Sequence, residues 1–337
     1  VSERERDPNL TARTTDLIDG GDIDGLLVEV DRLCDEGQWG ALYRLRELCK
    51  RALQRGKQLW PVAAHAEYRL ALEAPGAWAA RMLEQGAGRF SFGPLPEVAA
   101  SSHEWDELAG DLPAGPVGAM AAHERVVRGE DLTGDDRVDR HVLELPLGLQ
   151  AWEPDYPLAE YLPHEARFPT PRPVLALRPA DVPPAPAVRL EDPETERALV
   201  ELAAAWSTES NGRAEAVGVA GGAVEAIAAL GVHRARTAEI DVEMAMAWMA
   251  WAAASGGAHG RRRGMAAGRF GAWWALAALV GLLDLWPVPP DELEAASAGL
   301  QFHLWDAGEP DTGWSLHLAV EDPDQGIAWA ISASDSA

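Results

Sequence analysis

Lysine is almost missing from this 337-residue sequence, since Lys50 and Lys57 are the only two and every later basic charge is an arginine. Cysteine is as scarce. Cys34 and Cys49 have neither CxxC spacing nor enough thiols for a disulfide framework, so two half-buried free thiols in a reducing cytoplasm are expected. Nowhere is there a run of about 20 uncharged apolar residues, the length a membrane-spanning helix needs. The strongest candidate, flanked by Arg269 and Asp284, is too short and reads as a buried core helix. The stretch VSERERDPNLTART has none of the apolar character of a secretory leader. A soluble, cytoplasmic chain is expected, with no membrane partner.

The common catalytic signatures are absent too. His103-Glu104, His123-Glu124 and His164-Glu165 each lack the second histidine of a helical zinc-protease motif. GxSxG does not occur, and STESNG (207–212) reads as a polar loop from helix to strand. VGVAGG lacks the spacing of a dinucleotide-binding turn. His65 and Glu67 form a His-x-Glu with no PCxxC partner, which removes the nucleobase-deaminase pattern. These spacings imply no cofactor and no metal, and they leave enzymatic activity undecided, leaning against it.

What is present in excess is negative charge, net −25, distributed as −2 over residues 1–89, −9 over 90–190 and −14 over 191–337. Such a field repels phosphate backbones and anionic lipid, so nucleic acid is excluded as a partner. The 47% hydrophobic content argues for a folded chain, and the length argues for two domains.

Residues 1–129 read as a helical, repeat-like bundle without a fixed period. DIDGLLVEVDRLCDEG carries a helical apolar stripe with Asp22 as N-cap and Gly37 as stop, and SSHEWDELAG offers a capping box, Ser101 with Glu104. Residues 130–190 hold eleven prolines and read as a connector with short strands in HVLELPLGL and PVLALRPADV, ending in a stiff linker near PPAPAV. Residues 191–337 restart with Asp192 as N-cap and Pro193 in the first turn. AEAVGVAGG suggests a strand and AVEAIAALG a helix; AEIDVEMAMAWMAWAAASGG and GMAAGRFGAWWALAALVGLL follow as two helices apolar nearly all round. After them come three alternating runs, an antiparallel meander in which Trp314, Leu316, Leu318 and Val320 should face the helices. The expected fold is α+β, mostly α, with a three-stranded C-terminal sheet.

One stretch stands apart. SGGAHGRRRGMAAGRFGAWW (255–274) places Arg261, Arg262, Arg263 and Arg269 in an interval, Glu243 to Asp284, that has no acid between its ends. Glycines beside a helix start, with guanidinium forks, suit a phosphate or carboxylate; His259 is the local base and Trp273 a flat wall for a ring. Two other readings stay open: a clamp that neutralises the protein's own acids, such as those of the Asp306–Asp311 turn, or a docking patch. The best overall reading is a binding or regulatory protein with a helical protein-docking domain and an acidic recognition domain, its partner a protein or an anionic small molecule. The alternatives are an enzyme or sensor for a phosphorylated or carboxylated molecule at the 255–269 loop, and an acidic inhibitor or immunity-type protein.

The strings GKQLWPVAAHAEYRLALEAP, GPVGAMAAHERVVRGEDL and SGGAHGRRRGMAAGRFGAWWALAALVGLLDLWP resemble uncharacterised proteins of actinobacteria. The last is similar to part of a domain-of-unknown-function family. That resemblance implies a bacterial, cytoplasmic protein and brings no catalytic residue with it.

Overall fold

The computed structural model describes residues 12–112, 115–171, 175–183, 187–308 and 313–336. The chain divides into two compact units. One comprises Val1–Arg125, Asp135–Val142 and Glu160–Arg167; the other comprises Val126–Gly134, Leu143–Ala159 and Phe168–Ala337. The stretch read as a connector therefore contributes segments to both. No helix among the described residues is long and apolar enough to cross a membrane.

The N-terminal unit contains α1 (Ala12–Gly20), α2 (Ile23–Asp35), α3 (Trp39–Ala52), α4 (Trp60–Glu73), α5 (Gly76–Ala80), α6 (Leu95–Ser102), α7 (Trp105–Ala109) and most of α8 (Pro116–Val126), with the hairpin β1 (Glu160–Leu162) and β2 (Glu165–Arg167). Asp22 caps α2 by accepting the Gly25 N–H at 2.9 Å, as its position before the apolar stripe requires. Helix α4 is central: it packs on α2, α3, α5 and α6, and every residue from Ala66 to Leu72 is buried. The capping box forms three residues later than expected, with Glu104 and Glu107 opening α7. Ser101 does not cap because α6 runs through it, and its hydroxyl donates back to the Val98 carbonyl at 2.6 Å.

Cys34 on α2 and Cys49 on α3 are free and buried. Burial pushes both thiols up to about 12, far from the thiolate form that reacts. Native protein at pH 8 is expected to resist alkylation at both, and urea to expose two reactive thiols per chain. Rapid labelling of either thiol in native protein, read by intact mass, would contradict this packing.

The C-terminal unit is built on one antiparallel sheet of seven strands: β3 (Arg178–Ala180), β4 (Val188–Arg189), β5 (Arg213–Ala220), β6 (Ala235–Ile240), β7 (Gln301–Asp306), β8 (Gly313–Asp322) and β9 (Ile327–Ser336), in the order β3-β6-β7-β8-β9-β5-β4. Its helices are α9 (Pro193–Glu201), α10 (Ala204–Thr208), α11 (Ala223–Ala229), α12 (Val242–Ala254), α13 (Met265–Leu279) and α14 (Pro290–Ser297). The expected three-stranded meander is the centre of this larger sheet, and each missed strand has a physical reason. β3 falls within PVLALRPADV, where the sequence predicts a short strand, and Pro179 sits on this edge strand where it costs no ladder bond; β4 is two residues long, too short to display a period. β6 and α12 adjoin in sequence and were read as one helix; Asp241 separates them, accepting the Met244 N–H at 2.7 Å as N-cap. The strand expected in HVLELPLGL does not form. Leu143 and Glu144 adopt φ of 64° and 55°, which break an extended run. The linker near PPAPAV and the turn at GEPDTG lie partly outside the described residues.

The two sheet faces differ. Leu316, Leu318 and Val320 join Trp273, Leu276 and Met246 in the larger core, under α9, α12 and α13, as the alternation predicts. Val217, Val219, Ala319, Ala328 and Ala330 point the other way and pack against Ala223, Ala226 and Ile227 of α11. Helices α12 and α13 approach closely enough that a Cβ at Gly268 would lie 2.3 Å from the Ala250 carbonyl oxygen.

Candidate functional site

The loop joining α12 to α13, where the sequence pointed, is tied down by this chain's own acceptors. The Ala258 N–H donates to Asp335 Oδ2 at 2.6 Å, the His259 N–H to Ser210 Oγ at 3.2 Å, and the Arg261 N–H to Glu209 Oε2 at 3.1 Å. Gly257 must be glycine here: φ is +72°, and a Cβ would stand 2.2 Å from Asp335 Oδ2. The side chains of His259, Arg261 and Arg263 are exposed, while Arg262 lies over the Phe168 ring at 4.9 Å. Asp306, named from sequence as a countercharge, pairs with Arg236 instead, at 3.0 and 2.8 Å.

Arg269 and Trp273 belong elsewhere. Both are buried and both bind Glu153. Arg269 donates Nε to Glu153 Oε2 and Nη2 to Oε1, each at 2.7 Å, and also donates to the carbonyls of Pro146 (2.8 Å) and Gly148 (3.1 Å). Trp273 Nε1 (3.0 Å), Tyr156 Oη (2.6 Å) and the Gln150 N–H (3.0 Å) complete the carboxylate's shell. Burial pushes the Glu153 carboxyl up, but the Arg269 guanidinium and the other donors outweigh it and hold it below the usual range. Burial, then the neighbouring carboxylate, push the Tyr156 hydroxyl well above its ordinary value. Five donors around one buried acid make a structural clamp.

An open cleft of about 560 Å³ lies on the other sheet face. Helix α11 covers only the apolar end of that face. Strand pairing sets the uncovered end: His317 stands opposite Ser332, Ser332 opposite Glu215, and Ser334 opposite Arg213. Trp305 stacks on His317 with centroids 4.3 Å apart and planes 15° from parallel. The segment from Leu230 to Arg234, after α11, forms the side wall. Arg213, His233 and Arg234 are exposed at this cleft, and none of their side chains has a hydrogen bond or ion pair among the described residues. The unpartnered arginines are noteworthy because residues 191–337 hold 22 acids to 8 arginines.

The N-terminal unit has a second cleft, about 380 Å³, walled by Trp60, Tyr68, Phe90 and Phe92 and lined also by Asp31, His65 and His164. Trp60 packs on Phe90 at 4.3 Å between centroids, and Phe92 meets Tyr68 edge-on at 5.2 Å. His65 Nε2 lies 3.9 Å and His164 Nε2 3.5 Å from Asp31 Oδ1, and the two imidazoles stack at 5.6 Å. Burial, with Arg69 close by, holds the His65 imidazole below its ordinary value against the pull of Asp31. Glu67, two residues from His65, turns to α3 and accepts from Arg46 and Lys50, at 2.9 Å each. The His-x-Glu pair therefore acts on two different helices.

Neither cleft was found from sequence. The residues of the sheet cleft gather through the pairing of four strands, and His65 and His164 are separated by 99 positions. Alternation did carry one usable signal: serines at 332 and 334 face the same way as the core alanines 328 and 330, so that face changes from apolar to polar along β9. The model of a family of unknown function, DUF6183, matches residues 24–337, so the chain belongs to that family. No curated protein and no solved structure matches it.

Proposed function

We propose that this member of DUF6183 is a recognition protein whose C-terminal unit binds a small anionic molecule in the part of the sheet face that α11 leaves open. The observation that carries the reading is the pair of arginines, Arg213 and Arg234, lining one cleft without a carboxylate partner among the described residues. Elsewhere in the unit Arg236 and Arg269 are matched to acids. Guanidinium forks donate bidentately to phosphate or carboxylate, and serine hydroxyls at the floor add donors. The Trp305–His317 stack gives a flat apolar wall, and Glu215 offers one acceptor, which favours an anion that also carries a hydroxyl or amine. A cleft of about 560 Å³ suits a small molecule.

Thermal melts and calorimetric titrations with inorganic phosphate, citrate, a sugar phosphate and a nucleoside monophosphate test the reading. At least one should raise the melting temperature in proportion to the logarithm of its concentration, as ligand linkage requires. The Arg213→Gln/Arg234→Gln variant should bind it at least tenfold more weakly with little change in unliganded stability, because both side chains are exposed. The Arg261→Gln/Arg262→Gln/Arg263→Gln variant should bind as wild type. Equal binding by the double variant, or loss in the triple variant instead, would defeat the proposal, as would a panel with no effect on the wild type.

A further inference from the structure

We propose that Asp31, His65 and His164 form a binding site for a divalent transition-metal ion, zinc being the best match, in the aromatic cleft of the N-terminal unit. Three different elements supply the donors: Asp31 comes from α2, His65 from α4, and His164 from the turn between β1 and β2. One donor atom of each lies within 4.8 Å of the others. With bonds of about 2.0–2.1 Å, the ligand atoms of a tetrahedral zinc centre stand roughly 3.3–3.4 Å apart. The two histidine-to-aspartate separations here are 3.5 and 3.9 Å. Closing them takes a shift of a few tenths of an ångström, and the His164 ring, 65% exposed on a turn, has room to make it.

The donor set selects the ion. Two imidazole nitrogens and one carboxylate oxygen suit zinc and its first-row neighbours, whereas magnesium and calcium prefer oxygen throughout. Arg69 also donates to Asp31, which places a cation near the site. Its charge is already matched, because Nε and Nη2 grip Glu73 at 2.7 and 3.0 Å. Arg69 donates to Oδ1, the oxygen that also faces the two imidazoles, and so fixes the Asp31 carboxylate as outer partners do at metal centres, while Asp31 Oδ2 accepts no hydrogen bond among the described residues. Three protein ligands leave a fourth position for water or a bound molecule. The same residues line a cleft with Trp60, Phe90 and Phe92, so a molecule with a flat apolar body and a donor atom would fit against both the walls and the ion.

Calorimetric titration of the full chain with Zn²⁺, and the visible d–d absorption of added Co²⁺, test the site. One ion should bind per chain, and Mg²⁺ should neither bind nor compete. His164→Ala should weaken zinc binding at least tenfold and remove the Co²⁺ bands, while leaving the metal-free melting temperature unchanged because that ring is exposed. Asp31→Asn and His65→Ala should weaken it similarly, and His141→Ala, an exposed histidine outside the cluster, should not. Where His65→Ala fails to fold, His164→Ala decides alone. Zinc binding by His164→Ala equal to wild type, equal competition by Mg²⁺, or no stoichiometric binding by the wild type would overturn the site.

Discussion

Arg269→Met is expected to destabilise the C-terminal unit by about 3–5 kcal/mol, the usual cost of removing one partner of a fully buried ion pair. The substitution keeps most of the apolar volume of the side chain, so cavity formation contributes little. What it leaves is Glu153, with no exposed side-chain surface and without its cation, and the carbonyls of Pro146 and Gly148 without a donor. Glu153→Gln should cost a similar amount for the converse reason, since the guanidinium then stays buried without a countercharge.

The pH dependence separates this cause from simple misfolding. In the wild type the Glu153 carboxyl is held below its unfolded value, so the clamp's contribution is present above the unfolded pKa and lost as pH falls through the folded one. In Arg269→Met the lone buried carboxyl moves the other way, above its unfolded value. Its folded form then gains relative stability at low pH and loses it as pH rises. The difference between wild type and variant should therefore be largest near neutrality and shrink towards pH 4. Urea unfolding followed by tryptophan fluorescence is a suitable measurement, because Trp152 and Trp273 pack together beside the clamp. A variant within about 1 kcal/mol of wild type at pH 7, or a difference constant with pH, would mean that the pair is not what holds residues 146–156 to α13. The double replacement Glu153→Leu/Arg269→Met should recover much of the loss, since removing both charges removes the desolvation cost as well.

Local signals in the sequence were reliable where the cause was local. Asp22 and Asp192 cap the helices they precede, and Gly37 ends α2 in a positive-φ turn. The three alternating runs after residue 300 pair as a meander. The Ser101 capping box and the HVLELPLGL strand were local misses, and the other failures depended on partners distant in sequence. Arg269 looked like one of four arginines around a loop, yet its partner is Glu153, 116 residues away, and no spacing rule connects them. The edge strand β4 is held by ladder bonds to β5, and its own two residues carry no pattern. The cleft arginines are anonymous for the same reason: Arg213 and Arg234 acquire meaning only once β5 and the segment after α11 are placed beside one another on the uncovered sheet face. The acid-free interval around the 255–264 loop was a true anomaly in the sequence. In the structure its backbone donors face Asp335, Ser210 and Glu209, acceptors that sequence distance had hidden.

Leu318→Asp is expected to unfold the C-terminal unit at pH 7. Leu318 lies on β8, the central strand of seven, and is fully buried on the face covered by α9, α12 and α13. Removing the leucine forfeits about 2–3 kcal/mol of apolar burial. Keeping the new carboxyl neutral at pH 7 requires a pKa shift of about 3–4 units, or roughly 4–5 kcal/mol. The total is comparable with the whole stability of a typical domain, about 5–15 kcal/mol. Two comparisons make the result specific to the strand register. Leu318→Ala, which leaves a cavity but no charge, should cost about 2–5 kcal/mol and remain folded. Ser315→Asp, three residues earlier on the cleft face, should cost no more than about 1 kcal/mol, since that face is polar and open at this end. A register displaced by one residue would exchange these outcomes, because successive side chains point to opposite faces. Circular dichroism and thermal melts of the three variants therefore test the sheet directly. A folded Leu318→Asp with the melting temperature of the wild type would refute the arrangement of β8 between the two layers, and with it the placement of the Arg213–Arg234 cleft.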